Sequence, residues 1–215
     1  MVEKVYVTYN DVHKLCQEAA PQMLSTLQPQ LMIAIGGGGY VPARILRSFL
    51  KQPGTPNIPI QAIGLSLYEE LPVTDADATA GVVDQIGTKV TRTQWLDFSS
   101  LGGMENLVGK RILIVDEVDD TRTTLEYAVK ELQKDVDEVS RKLGREGEKT
   151  EFSIFVLHNK DKQKKGVLPA DTIDNSRYIA ARTVGDVWIC YPWEATDIDE
   201  HDRLAAEQKN KTAAA

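Results

Sequence analysis

The chain alternates between short, continuously apolar runs and segments with helical periodicity. The apolar runs span residues 31–35, 58–65, 111–115 and 152–157. Such runs predict strands buried on both faces. Apolar residues at i, i+3, i+4 and i+7 predict helices over 41–50 and 121–134, and over a segment that begins after a cap at Asn10. The alternation predicts an α/β fold, with a mostly parallel sheet flanked by helices.

The remaining segments are less regular. Residues 69–90 are polar, contain glycine and lack strong periodicity, which is typical of a lid or a mobile hairpin. The charged stretch 134–151 predicts a solvated helix extension or a loop. Residues 178–181 and 187–190 are short strand candidates, and 209–215 is expected to be a frayed tail.

Composition narrows the class of protein. The chain has 215 residues, of which 42% are apolar and 27% charged, which fits one globular domain. The net charge of −7 argues against general binding to nucleic acid or to anionic membranes. Only two cysteines occur, and neither a signal peptide nor a long apolar run is visible, so we expect a cytoplasmic protein.

Four carboxylates follow the third apolar run: Asp116, Glu117, Asp119 and Asp120. Two such charges about 4 Å apart repel by about 4 kcal/mol at an effective dielectric near 20, so a cation, a hydroxyl-rich ligand or wide splaying is needed. A solvated acidic loop that caps the next helix is the alternative.

The polar residues of the helix start come next: Thr121, Arg122, Thr123 and Thr124. Free N–H groups and the dipole at a helix N-terminus favour anions. This order predicts a site for a phosphorylated ribose and a divalent cation.

A run of four glycines, Gly36, Gly37, Gly38 and Gly39, lies between the first core strand and a helix, where phosphate loops occur. No Gly-Lys-Ser/Thr follows, which excludes a Walker A loop. The run also lacks the third glycine of a dinucleotide fingerprint. A flexible turn without a ligand is the alternative.

The strand, the acid pair and the following Asp-Thr-x-x-Thr resemble the 5-phosphoribosyl-1-pyrophosphate (PRPP) signature of type I phosphoribosyltransferases. The resemblance implies that Asp116 and Glu117 hold the ribose hydroxyls, and through them Mg²⁺. It implies that Asp120 is the general base near purine N7, and that residues 121–124 bind the 5-phosphate. The family usually has glycine at the position of Arg122, and Asp119 receives no role.

Other segments extend the resemblance. The glycine run is similar to the family's pyrophosphate loop, with Arg92 as a further pyrophosphate contact or a plain surface arginine. Ser66, Leu67 and Tyr68 look like the start of its mobile catalytic loop. On the purine side the match places Trp188 on the ring with Ile189 beside it, and Lys160 or His158 on the 6-oxo group. Backbone groups near Ile189 or Glu194 would read the 2-substituent. Trp193 is expected to pack in the core, and Lys162, Lys164 and Lys165 to be solvated.

The resemblance covers residues 6–205 and is strongest to the fungal xanthine or hypoxanthine–guanine enzymes. It implies one domain over 1–215, with a core at about 30–160 and a hood from about 1–29 and 161–205. The implied reaction is purine salvage from PRPP and a 6-oxopurine to a nucleotide, in a homodimer. Xanthine is the expected base, and an enzyme forming IMP and GMP is the alternative. A non-catalytic PRPP or nucleotide sensor on the same fold is a further alternative.

Overall fold

The computed structural model describes residues 3–68, 89–96 and 104–213. Its strands are β1 (Lys4–Tyr6), β2 (Leu31–Gly36), β3 (Ile60–Tyr68), β4 (Lys89–Gln94), β5 (Arg111–Asp119), β6 (Glu151–Lys160), β7 (Tyr178–Val184) and β8 (Trp188–Cys190). Its α-helices are α1 (Tyr9–Thr26), α2 (Tyr40–Leu50), α3 (Thr123–Leu143), α4 (Ala170–Asp174) and α5 (Ile198–Ala213). Short 3-10 helices occur at Met104–Leu107 and Pro192–Glu194.

The large sheet has the order β4-β3-β2-β5-β6-β7. All its neighbouring strands run parallel except β4, which pairs antiparallel with β3. The carboxyl ends of β2, β5 and β6 therefore meet at one edge of the sheet, where ligands bind in open α/β folds. The predicted α/β class with a mostly parallel sheet is confirmed.

Each central strand divides its apolar side chains between two cores. On β2, Met32 and Ala34 join the core formed with α1 and α2, whereas Ile33 and Ile35 join the core formed with α3. This is the period of two expected of a strand that is covered on both faces. Helices on both faces fix the strands, and with them the loops at their carboxyl ends.

Several boundaries differ from the sequence-based expectations. Helix α1 begins at Tyr9 and not after Asn10, because Thr8 and Asp11 form a reciprocal capping box. Helix α3 continues through the charged stretch to Leu143 and ends where Gly144 takes a left-handed conformation. The expected frayed tail is wrong for residues up to Ala213, which belong to α5.

The terminal segments meet in a separate two-stranded parallel sheet, β1 with β8. Helix α5 packs on β1, where the buried ring of His201 lies 2.9 Å from the carbonyl oxygen of Val7. Helix α1, which the sequence analysis assigns to the hood, packs beside α2 on the large sheet. None of the helices in the described ranges has both the length and the apolar character that a membrane span requires.

Candidate active site

The acid pair lies on strand β5 itself. The strand runs to Asp119, whereas the apolar pattern ends at Val115, and the main chain of Glu117 donates to the Asp116 carboxylate over 2.8 Å. Burial, together with Glu117 and Asp119 nearby, raises the pKa of Asp116 to about 8. Burial also raises the pKa of Glu117 to about 7, and the charge of Glu194 adds to that rise. Two such acids favour a cation or hydroxyl donors as partners.

The glycine loop closes tightly over this pair. A Cβ on Gly38 would lie 2.0 Å from the carboxyl group of Glu117, and a Cβ on Gly39 would lie 2.3 Å from the carbonyl oxygen of Val115. Only glycine permits the loop after β2 to approach β5 this closely. The loop and the acids therefore face each other at the edge of the sheet.

The loop, the acids and the start of α3 enclose a cavity of about 270 Å³. It is lined in part by Gly36, Gly37, Gly38, Asp116, Glu117, Asp120, Thr121, Arg122 and Thr124. The hydroxyl groups of Thr121 and Thr123 lie 3.0 Å apart at the helix start. The structure thus brings three predicted parts into one cavity: the pyrophosphate loop after β2, the ribose acids Asp116 and Glu117, and the phosphate turn at 121–124. The first-turn N–H groups of α3 lie beside this cavity.

Asp120 is held by two lysines. Lys160 Nζ lies 2.9 Å from one carboxylate oxygen, and Lys162 Nζ lies 3.0 Å from the other. Burial alone would raise the pKa of Asp120, but the hydrogen bonds and charges of the two lysines outweigh it and hold the pKa below its usual value. Asp186 lies 2.9 Å from Lys162 and extends the cluster. The expectation that Lys162 is simply solvated is therefore wrong.

Lys164 is also bound rather than solvated. Its ammonium group donates to the carbonyl oxygens of Asp119, Asp120 and Lys160 at 2.7, 2.9 and 2.8 Å. The sequence shows only a lysine-rich loop here, because the acceptors are main-chain atoms, two of them at and just beyond the end of β5. The contact ties the loop after β6 to the acidic end of β5.

Two aromatic residues near the C-terminus, Tyr191 and Trp193, contact Glu117. Trp193 Nε1 donates to the Glu117 carboxylate over 2.8 Å, so its expected role of core packing is incomplete. The Tyr191 ring stacks on Trp193 with centroids 4.8 Å apart. The Tyr191 hydroxyl donates to the Glu117 carbonyl oxygen and lies 2.9 Å from His158 Nδ1. These contacts were not foreseen from the sequence, since they join residues far apart in the chain.

The predicted purine-binding residues divide by exposure. Trp188 is 59% exposed at the start of β8, whereas Ile189 is buried and Glu194 is exposed. His158 is buried against Tyr191, and burial lowers its pKa to about 4, with the charge of Arg182 adding to the effect. Of the two candidates for the 6-oxo group, the structure brings Lys160 and not His158 to Asp120.

Arg92 lies on β4, and its side chain contacts other residues than those of the glycine loop. Its guanidinium group pairs with Glu131 and lies 3.9 Å above the centre of the Trp95 ring. Ser66, Leu67 and Tyr68 form the end of β3 and pair with β4. Residues 69–88 of the predicted lid lie outside the described residues.

The donor set suits a hard cation that is shared with a ligand. Within 3–68, 89–96 and 104–213, no three His, Cys, Asp or Glu side chains cluster as a metal site. Asp116 and Glu117 are half-buried and offer carboxylate oxygens, the ligand type that Mg²⁺ accepts. Taken together, the glycine loop, the acids of β5 and the start of α3 form one cavity at the carboxyl edge of a parallel sheet, with donors that suit a phosphorylated sugar.

Comparison with known proteins identifies the class. No family model matches the chain. Xanthine phosphoribosyltransferase 1 of Saccharomyces cerevisiae is 55% identical over 208 residues, covering 96% of this chain and 97% of its own. The hypoxanthine-guanine phosphoribosyltransferase of Schizosaccharomyces pombe is 58% identical over 204 residues, covering 95% of each chain.

Two solved structures share the fold. A Neisseria gonorrhoeae protein with bound ppGpp superposes with a TM-score of 0.73 at 37% identity, covering 97% of this chain and 98% of its own. The purine phosphoribosyltransferase of Pyrococcus horikoshii gives a TM-score of 0.59 at 25% identity, covering 90% and 96%. The chain belongs to the purine phosphoribosyltransferases of the type I phosphoribosyltransferase family.

Proposed function

We propose that this protein is a purine salvage enzyme that transfers the 5-phosphoribosyl group of PRPP to N9 of a 6-oxopurine. The observation that carries the proposal is the single cavity in which the glycine loop, the acids of β5 and the N-terminus of α3 meet. The names of the two fungal relatives support the transferase. The non-catalytic sensor is not favoured.

Each part of the cavity has a task in this reaction. The carboxylates of Asp116 and Glu117 bind the ribose hydroxyls, and the residues of 121–124 bind the 5-phosphate with main-chain and hydroxyl donors. The glycine loop receives the pyrophosphate. Asp116 and Glu117 would hold Mg²⁺ through the ribose hydroxyls, and the ion would offset the charge of the leaving pyrophosphate.

The chemical step forms the bond between purine N9 and ribose C1 as the bond from C1 to the pyrophosphate oxygen breaks. The purine loses one proton, which passes to Asp120. In the free protein Lys160 and Lys162 neutralise this carboxylate. When the purine binds, Lys160 donates to its 6-oxo group, so that Asp120 regains basicity beside N7. The exposed indole of Trp188 stacks on the ring.

Xanthine is the base we propose as preferred, with guanine and hypoxanthine as the alternative. One of the two relatives is named for xanthine and the other for hypoxanthine and guanine, and their identities to this chain are similar. Main-chain groups near Ile189 and Glu194 offer a donor for the 2-oxo group of xanthine or an acceptor for the 2-amino group of guanine. The predicted homodimer and the predicted cytoplasmic location also stay proposals.

A panel of bases tests the function. Wild-type protein is incubated with PRPP, Mg²⁺ and xanthine, guanine, hypoxanthine or adenine, and both pyrophosphate and nucleotide are measured. We expect release with the 6-oxopurines and at least about 100-fold lower kcat/KM with adenine, because Lys160 can only donate and a 6-amino group offers no matching acceptor. Absence of release with every base would contradict the enzyme and favour a sensor.

A further inference from the structure

Arg122 occupies a backbone conformation that favours glycine. It lies at the start of α3 with φ 68° and ψ −2°, and its side chain makes no capping hydrogen bond to the helix. A residue with a Cβ is costly in this left-handed region, and it persists only where the surroundings hold it there. The contacts around Arg122 should therefore account for its left-handed conformation.

The guanidinium group is bound to a buried acid. Arg122 Nε and Nη2 each lie 2.9 Å from Oδ2 of Asp119, which is only 1% exposed. The hydroxyl of Tyr178 donates to the same oxygen over 2.7 Å, and the guanidinium lies 5.1 Å above the Tyr178 ring. Withdrawing the arginine would leave Asp119 with less compensation for its buried charge.

The main chain of the turn is held as well. The carbonyl oxygen of Thr121 accepts hydrogen bonds from the main-chain N–H groups of Lys165 and Gly166, both at 3.0 Å. A Cβ on Gly166 would lie 2.5 Å from the carbonyl oxygen of Arg122. The loop after β6 thus packs directly on the turn, and Lys164 ties the same loop to Asp119.

We infer that Arg122 and Asp119 are positioning residues for the phosphate turn. Their ion pair holds the turn in the left-handed conformation, so that the N–H groups at the start of α3 face the cavity. The guanidinium group itself does not bind the 5-phosphate, since its charge is met by Asp119 and Tyr178. This inference rests on the proposed function, because the ligand of the turn is the 5-phosphate of PRPP.

Arg122→Ala and Arg122→Gly form the decisive comparison. Both remove the guanidinium group, but only glycine adopts the left-handed conformation without strain. We expect the KM for PRPP to be about tenfold higher for Arg122→Ala than for Arg122→Gly. Asp119→Asn keeps the arginine and should also raise this KM about tenfold, because the ion pair is lost. The KM for the purine should change much less in all three variants.

Direct phosphate binding by Arg122 gives the opposite pattern. Arg122→Ala and Arg122→Gly would then raise the KM for PRPP equally, and Asp119→Asn would leave it unchanged or lower it. Either result overturns the inference. If Arg122→Ala does not fold, Asp119→Asn carries the test alone, and an unchanged KM for PRPP in that variant likewise overturns the inference.

Gln28 supplies a matched control. It is another residue with positive φ, at 44°, and it precedes β2 at the opposite end of the strands. Gln28→Ala and Gln28→Gly should differ in thermal stability but not in the KM for PRPP. Wild-type turnover is measured first: its absence would contradict the proposed function, whereas an active wild type with equal KM values for the two Arg122 variants contradicts only the positioning role.

Discussion

Glu117 depends on the side chains around it for both its position and its charge. The glycine loop lies against its carboxyl group, and Trp193 donates to the carboxylate over 2.8 Å. Burial raises the pKa of Glu117 to about 7, and the indole hydrogen bond opposes that rise. Trp193 therefore favours an ionised carboxylate aimed at one place in the cavity.

Replacing Trp193 by phenylalanine tests this contact. The ring is kept and the N–H donor is lost, so the KM for PRPP should rise about tenfold, as expected for a hydrogen bond to a charged group. Steady-state kinetics with PRPP as the varied substrate give the value. Trp95→Phe is the matched control, because its Nε1 donates to Asp135 and lies outside the cavity lining. Equal KM values for the two variants would show that the indole does not position Glu117.

The residues that the sequence predicts differ in kind from those that it misses. The acids and threonines of 116–124 are contiguous, so their chemistry can be read from one short segment. Trp193 and Tyr178 are 76 and 59 positions from the acids that they contact. A tryptophan or a tyrosine in isolation is equally typical of core packing, and nothing in one sequence pairs it with a particular acid.

At the scale of the secondary-structure elements, the apolar pattern predicts where the strands lie more accurately than where they end. β5 continues four residues beyond its apolar run, because Asp116, Val118 and Asp119 still pair with β6. β6 likewise continues to Lys160, which brings Lys160 beside Asp120. Hydrophobicity reports which side chains are buried, whereas a strand ends where main-chain pairing ends. The candidate functional residues of β5 and β6 lie in these strand ends, beyond the apolar runs.

His158 on β6 links the large sheet to the C-terminal segment through Tyr191. Burial lowers its pKa to about 4 from an ordinary 6.5, with Arg182 adding to the effect. Between these values the unfolded chain binds a proton that the folded chain does not. The stability that neutral His158 contributes is therefore complete above about pH 6.5 and is lost as the pH falls towards 4.

Urea unfolding of wild type and His158→Gln at pH 7 and pH 5 measures this contribution. The wild-type free energy of unfolding should fall by about 2 kcal/mol more than that of the variant over this interval. His13→Gln, at an exposed position on α1, is the matched control and should follow the wild type. An equal fall for His158→Gln and wild type would contradict the prediction.

At the scale of the whole molecule, the site is assembled from segments that are distant in the chain. The glycine loop follows β2, the acids lie on β5, Lys160 ends β6, and Trp193 follows β8. Alternation of strands and helices predicts the large sheet, because each unit is local. The β1–β8 pair joins the N-terminal segment to residues 188–190, and α5 lacks a strong apolar stripe, so neither feature follows from local pattern.

A ligand that spans these segments should stabilise the folded chain as a unit. A nucleotide at 100 times its Kd adds about 2.7 kcal/mol, which for a chain of this size raises Tm by roughly 5–10 °C. Thermal unfolding with GMP or XMP, compared with guanosine at the same concentration, measures the effect. The nucleoside should give a much smaller shift, because it leaves the phosphate turn at 121–124 without a partner. An equal shift with guanosine would show that the turn contributes nothing to nucleotide binding.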